Sequence, residues 1–402
     1  MAQIEGTTAA GFEEVRDVFA RNFDEHGEVG AAFAVYVDGE PVVELTGGTR
    51  TDGAPYDERT LQMVFSSTKG ATALCAHLLA QRGELDLHAP VVEYWPEFAA
   101  HGKDQIPVSW LLCHKSGLID TTRSMTHDEM LDWDTVTEAL AASTPLWEPG
   151  TQHGYHAVTY GWLVGEVVRR VSGRSLGQFF ADEVAGPLGL DFWIGLPDDQ
   201  VDRVSKLVPM SPPEGLPMMM AEEGTAASDG SGSAPPGLVQ MLDMLLGPGN
   251  LAGRALSAPG GAAADENVWN EPRTWAAQIP AANGVTNAVS LARMYAATVG
   301  EVDGIRLLSP ESVNAAIEPQ VEGADAVLMF PIPFGLGFMR HSDFSPFAGP
   351  RSFGHYGAGG SVGFADPDRR LAVGYTMNQM QFGIAGDPRT AALIEVVDRL
   401  VG

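Results

Sequence analysis

The sequence has little cysteine and little lysine, and both shortages narrow what the chain can do. Of its 402 residues only two are cysteine, Cys75 and Cys113, and neither lies in a CxxC or Cys/His pattern. A disulfide scaffold and a cysteine-bound metal are therefore excluded, and both positions are predicted to be buried free thiols. Because lysine is so rare, any lysine within an apolar segment stands out. The four lysines are Lys69, Lys103, Lys115 and Lys206.

Positive charge is scarce overall. The 24 Lys and Arg residues stand against 52 Asp and Glu residues, which gives a formal net charge of −28. A field of that sign repels phosphate backbones and anionic lipids, so nucleic-acid and membrane partners are not expected. No stretch of about 18 mainly apolar residues is free of Pro, Gly and charge, and the first residues lack the pattern of a secretory signal. We therefore expect a cytoplasmic protein.

Strand and helix patterns near both ends of the chain predict a shared sheet. The composition, with 45% apolar and 19% charged residues, is that of a globular protein of two or three structural units. Strand-like runs at 31–37 and 41–45, joined by Asp38-Gly39, predict an antiparallel hairpin. Further strand-like runs lie at 335–340, 352–356, 361–366 and 371–377, and helical patterns lie at 10–25, 288–298 and 388–401.

The middle of the chain is mostly helical in pattern. Helical stretches lie at 67–82, 107–113, 135–142, 160–171 and 176–184, and stretches rich in Pro, Gly and Ser at 209–236 and 255–264 are predicted loops. The first loop is a candidate lid, whose Met218, Met219 and Met220 pack either over an apolar ligand or within the loop. This order predicts an α+β fold, with an antiparallel sheet flanked by terminal helices and an inserted helical domain. The predicted domains are 1–60 with 288–402, and 61–287.

The strongest candidate for chemistry is an SxxK motif formed by Ser66 and Lys69, at the start of a buried helical pattern. The i, i+3 spacing places the hydroxyl and the amine on one face of a helix, one turn apart. Serine is a poor nucleophile until a base takes its proton, and a partly desolvated lysine has a lowered pKa and can act as that base. The motif is short, so its interpretation needs support from elsewhere in the chain.

Two further segments give that support. Tyr155 lies in a glycine-flanked loop directly before the helical pattern at 160–171. A phenol beside a lysine ammonium loses its proton more easily and can carry it between nucleophile and leaving group; the alternative is a tyrosine that only packs in the core. Residues 353–360 form a glycine-dense turn, where small residues let a substrate carbonyl approach backbone N–H groups, as an oxyanion hole requires.

Other motifs carry less weight. Residues 359–363 fit the GxSxG nucleophile elbow with Ser361, but that motif requires a following helix, and a strand pattern follows here. We interpret it as a bend between strands. His153 and His156 have no carboxylate at ligand spacing, and HExxH is absent, so no metal site is predicted. Without a Walker A loop or a GxGxxG motif that opens a helix, no phosphate or dinucleotide cofactor is expected.

Taken together, these motifs resemble those of the serine β-lactamase and penicillin-binding-protein superfamily. Within it the chain is most similar to class C β-lactamase-like carboxylesterases, also called family VIII esterases. Residues 111–118 are similar to the LLxHxSGL segment of that family, and residues 160–173 to the helix after its tyrosine. Residues 279–284 and 357–366 are similar to segments of its esterase branch.

The resemblance implies a sheet domain beside a helical domain, with the active site in the cleft between them. It implies that Ser66 is the acylated nucleophile, Lys69 its base and Tyr155 the proton shuttle. The backbone N–H groups of Ser66 and Ala358 would form the oxyanion hole. No cofactor is implied, and the expected partner is a small-molecule ester; the oligomeric state stays open.

The chain departs from the β-lactamase pattern at two motifs. The YxN motif is replaced by Tyr155-His156-Ala157, which lacks the amide, and the KTG motif by His355-Tyr356-Gly357, which lacks the cation. An imidazole is mostly neutral at pH 7. We expect His156, His355 and Gly357 to contact the substrate, and both departures favour neutral esters over anionic β-lactams.

These observations predict a serine carboxylesterase that acts on small neutral esters. A linear amide hydrolase or an acyltransferase would use the same residues, and both stay open. A β-lactamase or D-Ala-D-Ala peptidase is disfavoured by the two departures. A catalytically silent binding module is disfavoured because it has no need of a desolvated lysine beside a serine.

Overall fold

A computed structural model describes residues 2–209 and 249–402. The strands are β1 (Ile4–Thr8), β2 (Gly30–Val37), β3 (Glu40–Gly48), β4 (Leu61–Met63), β5 (Phe192–Trp193), β6 (Val204–Ser205), β7 (Val285–Thr286), β8 (Met339–Arg340), β9 (Phe353–Tyr356), β10 (Val362–Asp366) and β11 (Leu371–Met377). The helices are α1 (Glu13–Glu25), α2 (Thr68–Gln81), α3 (Val108–Leu112), α4 (His127–Met130), α5 (Trp133–Ala142), α6 (Thr159–Ser172), α7 (Leu176–Phe180), α8 (Gly186–Leu188), α9 (Leu251–Ser257), α10 (Pro272–Ala276), α11 (Ala288–Val299), α12 (Pro310–Ile317) and α13 (Pro388–Val401).

The larger sheet is antiparallel, with its strands in the order β1-β3-β2-β11-β10-β9-β8. Its central strands are buried along their length: every residue of β11 is buried, and so is all of β2 except Val37. That burial explains why both strands are nearly continuous apolar runs in the sequence. The hairpin turn between β2 and β3 is the predicted one, with Asp38 and Gly39 at φ values of 53° and 84°. The two ends of the chain therefore form one sheet.

Helices cover this sheet. Helix α11 packs across β2, β10 and β11. Its close approach depends on small residues, because a Cβ on Gly374 would lie 2.3 Å from the carbonyl oxygen of Ala288. The terminal helices α1 and α13 pack against each other, and the Asn22 amide donates to the Arg389 carbonyl at 3.1 Å. The predicted α+β fold, with its flanking terminal helices, is confirmed.

Helix α2 lies at the centre of the segment from residue 61 to residue 287. It is buried from Thr68 to Leu79 and packs against α6 and α7. The segment also holds a small sheet with the strand order β5-β7-β4-β6. These strands have two or three residues each, too few to show an alternating pattern in the sequence. The division into domains at residues 60 and 288 stays a prediction.

The structure differs from the sequence prediction in a few places. Strand β1 has the largely polar sequence IEGTT, and its pairing with β3 rather than its own pattern makes it a strand. Helix α9 overlaps the start of the predicted loop at 255–264, and Asn250 caps it by accepting a hydrogen bond from the Gly253 N–H. The run at 335–340 pairs only over Met339–Arg340. Apart from Pro209, the predicted lid lies outside the described residues.

Both cysteines are buried free thiols, as the sequence predicts. Burial raises the pKa of the Cys75 thiol and of the Cys113 thiol. Both therefore stay protonated and unreactive at neutral pH. Within residues 2–209 and 249–402, none of the helices combines the length and apolar character needed to cross a bilayer.

Candidate active site

Ser66 lies in a 3₁₀ turn, Phe65–Ser67, between β4 and α2. The residue before it, Phe65, has a φ of 43°, a left-handed conformation that non-glycine residues rarely adopt. Two contacts hold it there: its ring packs edge-to-face on Trp269 at 5.5 Å, and the Thr68 hydroxyl donates to its carbonyl oxygen at 2.6 Å. The turn leaves Ser66 partly exposed in an otherwise buried segment. Backbone strain beside an accessible hydroxyl is typical of functional sites.

Lys69 is fully buried one helical turn after Ser66. Its Nζ lies 3.0 Å from the Ser66 Oγ, and it also lies 2.6 Å from the Ala157 carbonyl oxygen and 3.0 Å from that of Ala281. Among the described residues no carboxylate pairs with this amine, and burial lowers the pKa of Lys69 well below its ordinary value. The structure therefore favours a neutral lysine.

The two carbonyl contacts determine how the neutral amine is oriented. A neutral amine has two N–H donors and one lone pair. The carbonyl oxygens of Ala157 and Ala281 only accept hydrogen bonds, so they take the two N–H donors. The remaining direction of Nζ faces the Ser66 Oγ, so in the neutral form of the amine the lone pair is directed at the hydroxyl proton. This is the arrangement that a general base requires.

Tyr155 lies in the loop before α6, with 3% of its surface exposed, and its hydroxyl interacts with the Ser66 side chain. Burial outweighs this contact and raises the pKa of Tyr155, so the phenol keeps its proton at neutral pH. The sequence predicts a phenol that ionises readily beside a lysine ammonium. The lowered pKa of Lys69 agrees with the expected base, whereas the raised pKa of Tyr155 does not agree with a phenol that ionises readily, because burial favours the neutral form of both side chains.

A buried carboxylate holds the loop that carries Tyr155. The Oδ1 atom of Asp325 accepts hydrogen bonds from the backbone N–H groups of Tyr155 at 3.0 Å, Val327 at 2.8 Å and Leu328 at 2.8 Å. Asp325 is 1% exposed, and burial raises its pKa. Since 170 residues separate Asp325 from Tyr155, no local sequence pattern marks this contact.

Buried histidines pack beside Tyr155. The ring centres of His114 and His355 lie 5.1 Å and 6.0 Å from that of Tyr155. His114 also has a left-handed φ of 63°, and its Nδ1 accepts a hydrogen bond from the His156 N–H at 3.2 Å. Burial lowers the pKa of both His156 and His355 to about 3. These histidines are therefore uncharged at neutral pH.

The structure does not place the side chains of His156 and His355 on the cleft surface. Both are 0% exposed. The His156 ring nitrogens lie 2.8 Å from the Ser116 Oγ and 2.7 Å from the Gly154 carbonyl oxygen. The expected substrate contact of these two side chains is corrected to buried packing, of His355 beside Tyr155 and of His156 beside His114 and Trp147. Within the described ranges, no group of three or more His, Cys, Asp or Glu side chains is arranged to hold a metal ion.

The glycine-dense turn after β9 faces Ser66, and Ser66 and Ala358 line the same cavity. In the described part of the chain, neither backbone N–H donates to a protein acceptor. Gly357 itself is buried, and a Cβ there would lie 2.2 Å from the Val64 carbonyl oxygen, so only glycine lets the turn approach this closely. Two N–H groups without protein acceptors beside a serine hydroxyl are what an oxyanion hole needs.

Ser361 is a structural residue in this arrangement. It is 1% exposed, its Oγ donates to the Val64 carbonyl oxygen at 2.8 Å, and it lies 3.0 Å from the Ser67 Oγ. Strand β10 follows it, so the strand-turn-helix geometry of a nucleophile elbow is absent here. The interpretation of this GxSxG match as a bend between strands is confirmed.

The cavity in front of Ser66 has a volume of about 320 Å³. Most of its wall is apolar, and Glu266 is its one charged side chain among the described residues. A wall of this kind suits an uncharged organic substrate. The cavity is lined by Phe65, Ser66, Ala157, Val158, Leu207, Pro209, Leu256, Glu266, Asn267, Trp269, Asn270, Ala282, Ala358 and Met380.

Comparison with known proteins identifies the family of the chain. The family model described as beta-lactamase matches residues 15–396. The chain belongs to the beta-lactamase family. It is 36% identical over 371 residues to the esterase/beta-lactamase LipL of Mycobacterium tuberculosis, covering 90% of this chain and 80% of LipL. Among solved structures it is similar to a family VIII carboxylesterase, with a TM-score of 0.84, 35% identity and coverage of 99% and 100% of the two chains. It is also similar to EstA from Arthrobacter nitroguajacolicus Rue61a, with a TM-score of 0.83, 32% identity and coverage of 100% and 98%.

For this member of the beta-lactamase family, sequence reasoning finds the short-range motif and misses the residues that support it. Ser66 and Lys69 are three positions apart, and the structure brings Tyr155 to both. Asp325 gives no sequence signal, because a single aspartate between helix and loop residues has no pattern. His114 lies inside the LLxHxSGL segment, which is the one available signal for its role.

Proposed function

We propose that this beta-lactamase family member is a serine carboxylesterase that hydrolyses small neutral esters through an acyl-Ser66 intermediate. The observation that carries the proposal is the buried Lys69 amine, whose Nζ lies within hydrogen-bond distance of two carbonyl oxygens and of the Ser66 Oγ, with no carboxylate beside it among the described residues. A structural lysine would gain nothing from this unpaired burial, whereas a general base needs it.

Acylation follows from the geometry. The neutral Lys69 amine takes the Ser66 proton as Oγ attacks the ester carbonyl carbon, which leaves an ammonium and a tetrahedral oxyanion. The backbone N–H groups of Ser66 and Ala358 stabilise that oxyanion. Tyr155 gives its proton to the departing alkoxide and regains one from the Lys69 ammonium, so the alcohol leaves and the amine is neutral again.

Deacylation repeats these steps with water. The Lys69 amine takes a proton from a water molecule as the water oxygen attacks the acyl carbon. The oxyanion forms at the same two N–H groups. When the tetrahedral intermediate collapses, the C–O bond to Ser66 breaks. The Ser66 oxygen recovers a proton through Tyr155, and a carboxylic acid leaves.

Preference for neutral esters is supported by the charges around the cleft. Position 355 carries a buried, uncharged imidazole, and Glu266 is the one charged group in the described cavity wall. Neither the neutral imidazole of His355 nor the carboxylate of Glu266 attracts a substrate carboxylate. LipL is described as an esterase/beta-lactamase and one similar structure as a family VIII carboxylesterase, and both descriptions support ester hydrolysis. The cytoplasmic location and the absence of nucleic-acid partners stay predictions from composition.

The test is parallel turnover of p-nitrophenyl acetate and a chromogenic cephalosporin by the wild type, Ser66→Ala and Ser361→Ala. We expect fast ester cleavage by the wild type, little cephalosporin cleavage, and loss of both in Ser66→Ala. Ser361→Ala is the matched control and should keep more than roughly a tenth of the ester activity, because its hydroxyl only bonds to protein groups. Ester turnover that survives Ser66→Ala would overturn the proposal.

A further inference from the structure

Arg389, in the first turn of α13, is 0% exposed and uses all five of its guanidinium N–H donors. Nε and Nη2 form a fork on Asp387 at 3.0 Å and 2.7 Å. Nη1 donates to Glu28 Oε2 at 3.0 Å and to the Gln379 carbonyl oxygen at 2.8 Å. The fifth donor, on Nη2, goes to the Gly359 carbonyl oxygen at 2.7 Å. A fully buried arginine with every donor satisfied has a fixed position.

The last of these hydrogen bonds reaches the turn that carries Ala358. The Gly359 carbonyl oxygen also accepts from the Gln381 N–H at 3.0 Å, so two donors fix its direction. At the other side of the turn, the Gly357 N–H donates to the Ser361 carbonyl oxygen at 2.7 Å. The peptide that presents the Ala358 N–H therefore lies between two anchored points.

The guanidinium and the turn are in direct contact. Gly360 has a φ of 127°, and a Cβ there would lie 2.3 Å from Arg389 Nη2 and 2.5 Å from Asp387 Oδ2. No side chain fits between the turn and the ion pair. A movement of the guanidinium therefore moves the turn.

Two carboxylates hold the guanidinium from different parts of the fold. Asp387 precedes α13, whereas Glu28 lies between α1 and β2 and also accepts a hydrogen bond from the Tyr375 hydroxyl of β11. The side chain of Glu28 is 0% exposed and that of Asp387 is 8% exposed. Loss of any of these contacts leaves a donor of the buried guanidinium without a partner, which is costly, so the guanidinium keeps this position.

We propose that Arg389 is a positioning residue that holds the 357–361 turn so that the Ala358 N–H points at the substrate oxyanion. This inference rests on the proposed function, because it assigns the turn a role in ester hydrolysis. Arg389 does not line the cavity, so it acts through the Gly359 carbonyl oxygen and not on the substrate.

The experiment compares Arg389→Lys with the wild type in p-nitrophenyl acetate turnover and in binding of a trifluoromethyl ketone. The Ser66 Oγ adds to the carbonyl carbon of that ketone, and the resulting oxyanion occupies the proposed oxyanion hole. A lysine keeps the charge but has three donors and no fork, so the Gly359 carbonyl oxygen loses one of the two donors that fix its direction. We expect kcat to fall roughly tenfold to hundredfold with KM within about twofold, and ketone affinity to fall by a similar factor.

Arg369→Lys is the matched control. Arg369 is a partly buried arginine that contacts Asp366, Asp398 and the Ala348 carbonyl oxygen, and it does not bond to the turn. Its variant should keep kcat and ketone affinity within about twofold of the wild type. If Arg389→Lys does not fold, Asp387→Asn replaces it: asparagine still caps α13 but loses one oxygen of the fork. It should lower kcat and ketone affinity together, with KM unchanged.

The outcomes separate this inference from the proposed function. If Ser66→Ala keeps its turnover, the proposed function falls whatever Arg389 does. If Ser66→Ala is inactive while a folded Arg389→Lys keeps wild-type kcat and ketone affinity, the positioning role alone is overturned. An Arg389→Lys enzyme that loses only thermal stability also overturns the positioning role, because a purely structural residue changes the melting temperature without changing kcat.

Discussion

The Nζ atom of Lys69 lies 3.0 Å from the Oγ atom of Ser66, and two carbonyl oxygens hold its remaining hydrogen-bond directions. No counter-charge accompanies the amine among the described residues, so burial alone determines its protonation. Burial therefore favours the neutral form of the Lys69 side chain, and this form can act as a base. The chemistry proposed for the site follows from that relationship.

Replacing Lys69 with arginine should abolish the base while keeping a positive side chain. A guanidinium does not lose its proton near neutral pH, so it cannot accept the Ser66 proton. We expect kcat/KM for p-nitrophenyl acetate to fall roughly 10²- to 10⁴-fold in both Lys69→Arg and Lys69→Ala. Steady-state kinetics at pH 8, with circular dichroism as the folding control, measures this. A Lys69→Arg enzyme near wild-type activity would show that the amine is not the base.

The pH dependence of activity should follow Lys69. Because burial lowers its pKa, the neutral amine is populated well below the ordinary lysine value of 10.5. Activity should therefore rise with pH through a midpoint well below 10.5. The check is a kcat/KM profile from pH 5 to 10. A rising limb centred at 10 or above would mean that the amine is an ordinary, charged lysine.

Asp325 should affect turnover through Tyr155. Its Oδ1 accepts three backbone N–H groups, and Asp325→Ala leaves them buried without a partner. We expect a loss of about 3 kcal/mol in unfolding free energy and a roughly tenfold to hundredfold lower kcat. Asp325→Asn is the matched variant, because an amide oxygen can still accept these bonds, and it should keep most of the activity. An Asp325→Ala enzyme with wild-type kcat would show that the Asp325 carboxylate is not needed to position Tyr155 for catalysis.

Glu28 should make stability fall as pH rises. Burial raises its pKa to about 7 from an ordinary value of 4.5, and one guanidinium serves both this carboxylate and Asp387. Since the folded-state pKa is the higher one, the stability that the protonated form contributes is complete below pH 4.5 and is lost as pH rises through about 7. The unfolding free energy of Glu28→Gln relative to the wild type should therefore rise by up to about 3 kcal/mol between pH 4.5 and pH 8.

Urea unfolding of both proteins across that pH range measures the difference. Taking the difference removes the contribution of the buried histidines, which both proteins share. A difference that does not change with pH would show that Glu28 is ionised throughout and that Arg389 compensates it fully.

The parts of the fold that the sequence predicts are those with strong local patterns. Strand β11 and helix α13 were predictable to the residue, because a continuous apolar run and a proline-initiated amphipathic stretch are local signals. Strand β1 is polar, and only its partner β3 makes it a strand. The two-residue strands beside α2 give no periodic signal at all.

The site divides in the same way. The SxxK spacing and the glycine-rich turn are local, so the sequence shows them. The burial of His355, the raised pKa of Tyr155 and the anchoring of the turn by Arg389 depend on residues that are distant in the chain. These features depend on which side chains are buried together in the folded protein, and a sequence pattern does not show which side chains those are.

Trapping the acyl-enzyme would identify the nucleophile directly. The wild type is mixed with p-nitrophenyl butyrate, quenched in acid within the first turnovers, and analysed by intact-protein mass spectrometry and peptide mapping. Acyl transfer to Ser66 predicts a mass increase of one butyryl group on the peptide that contains Ser66 and none in Ser66→Ala. A butyryl group on Ser361 or on any other residue, with Ser66 unmodified during turnover, would contradict the account.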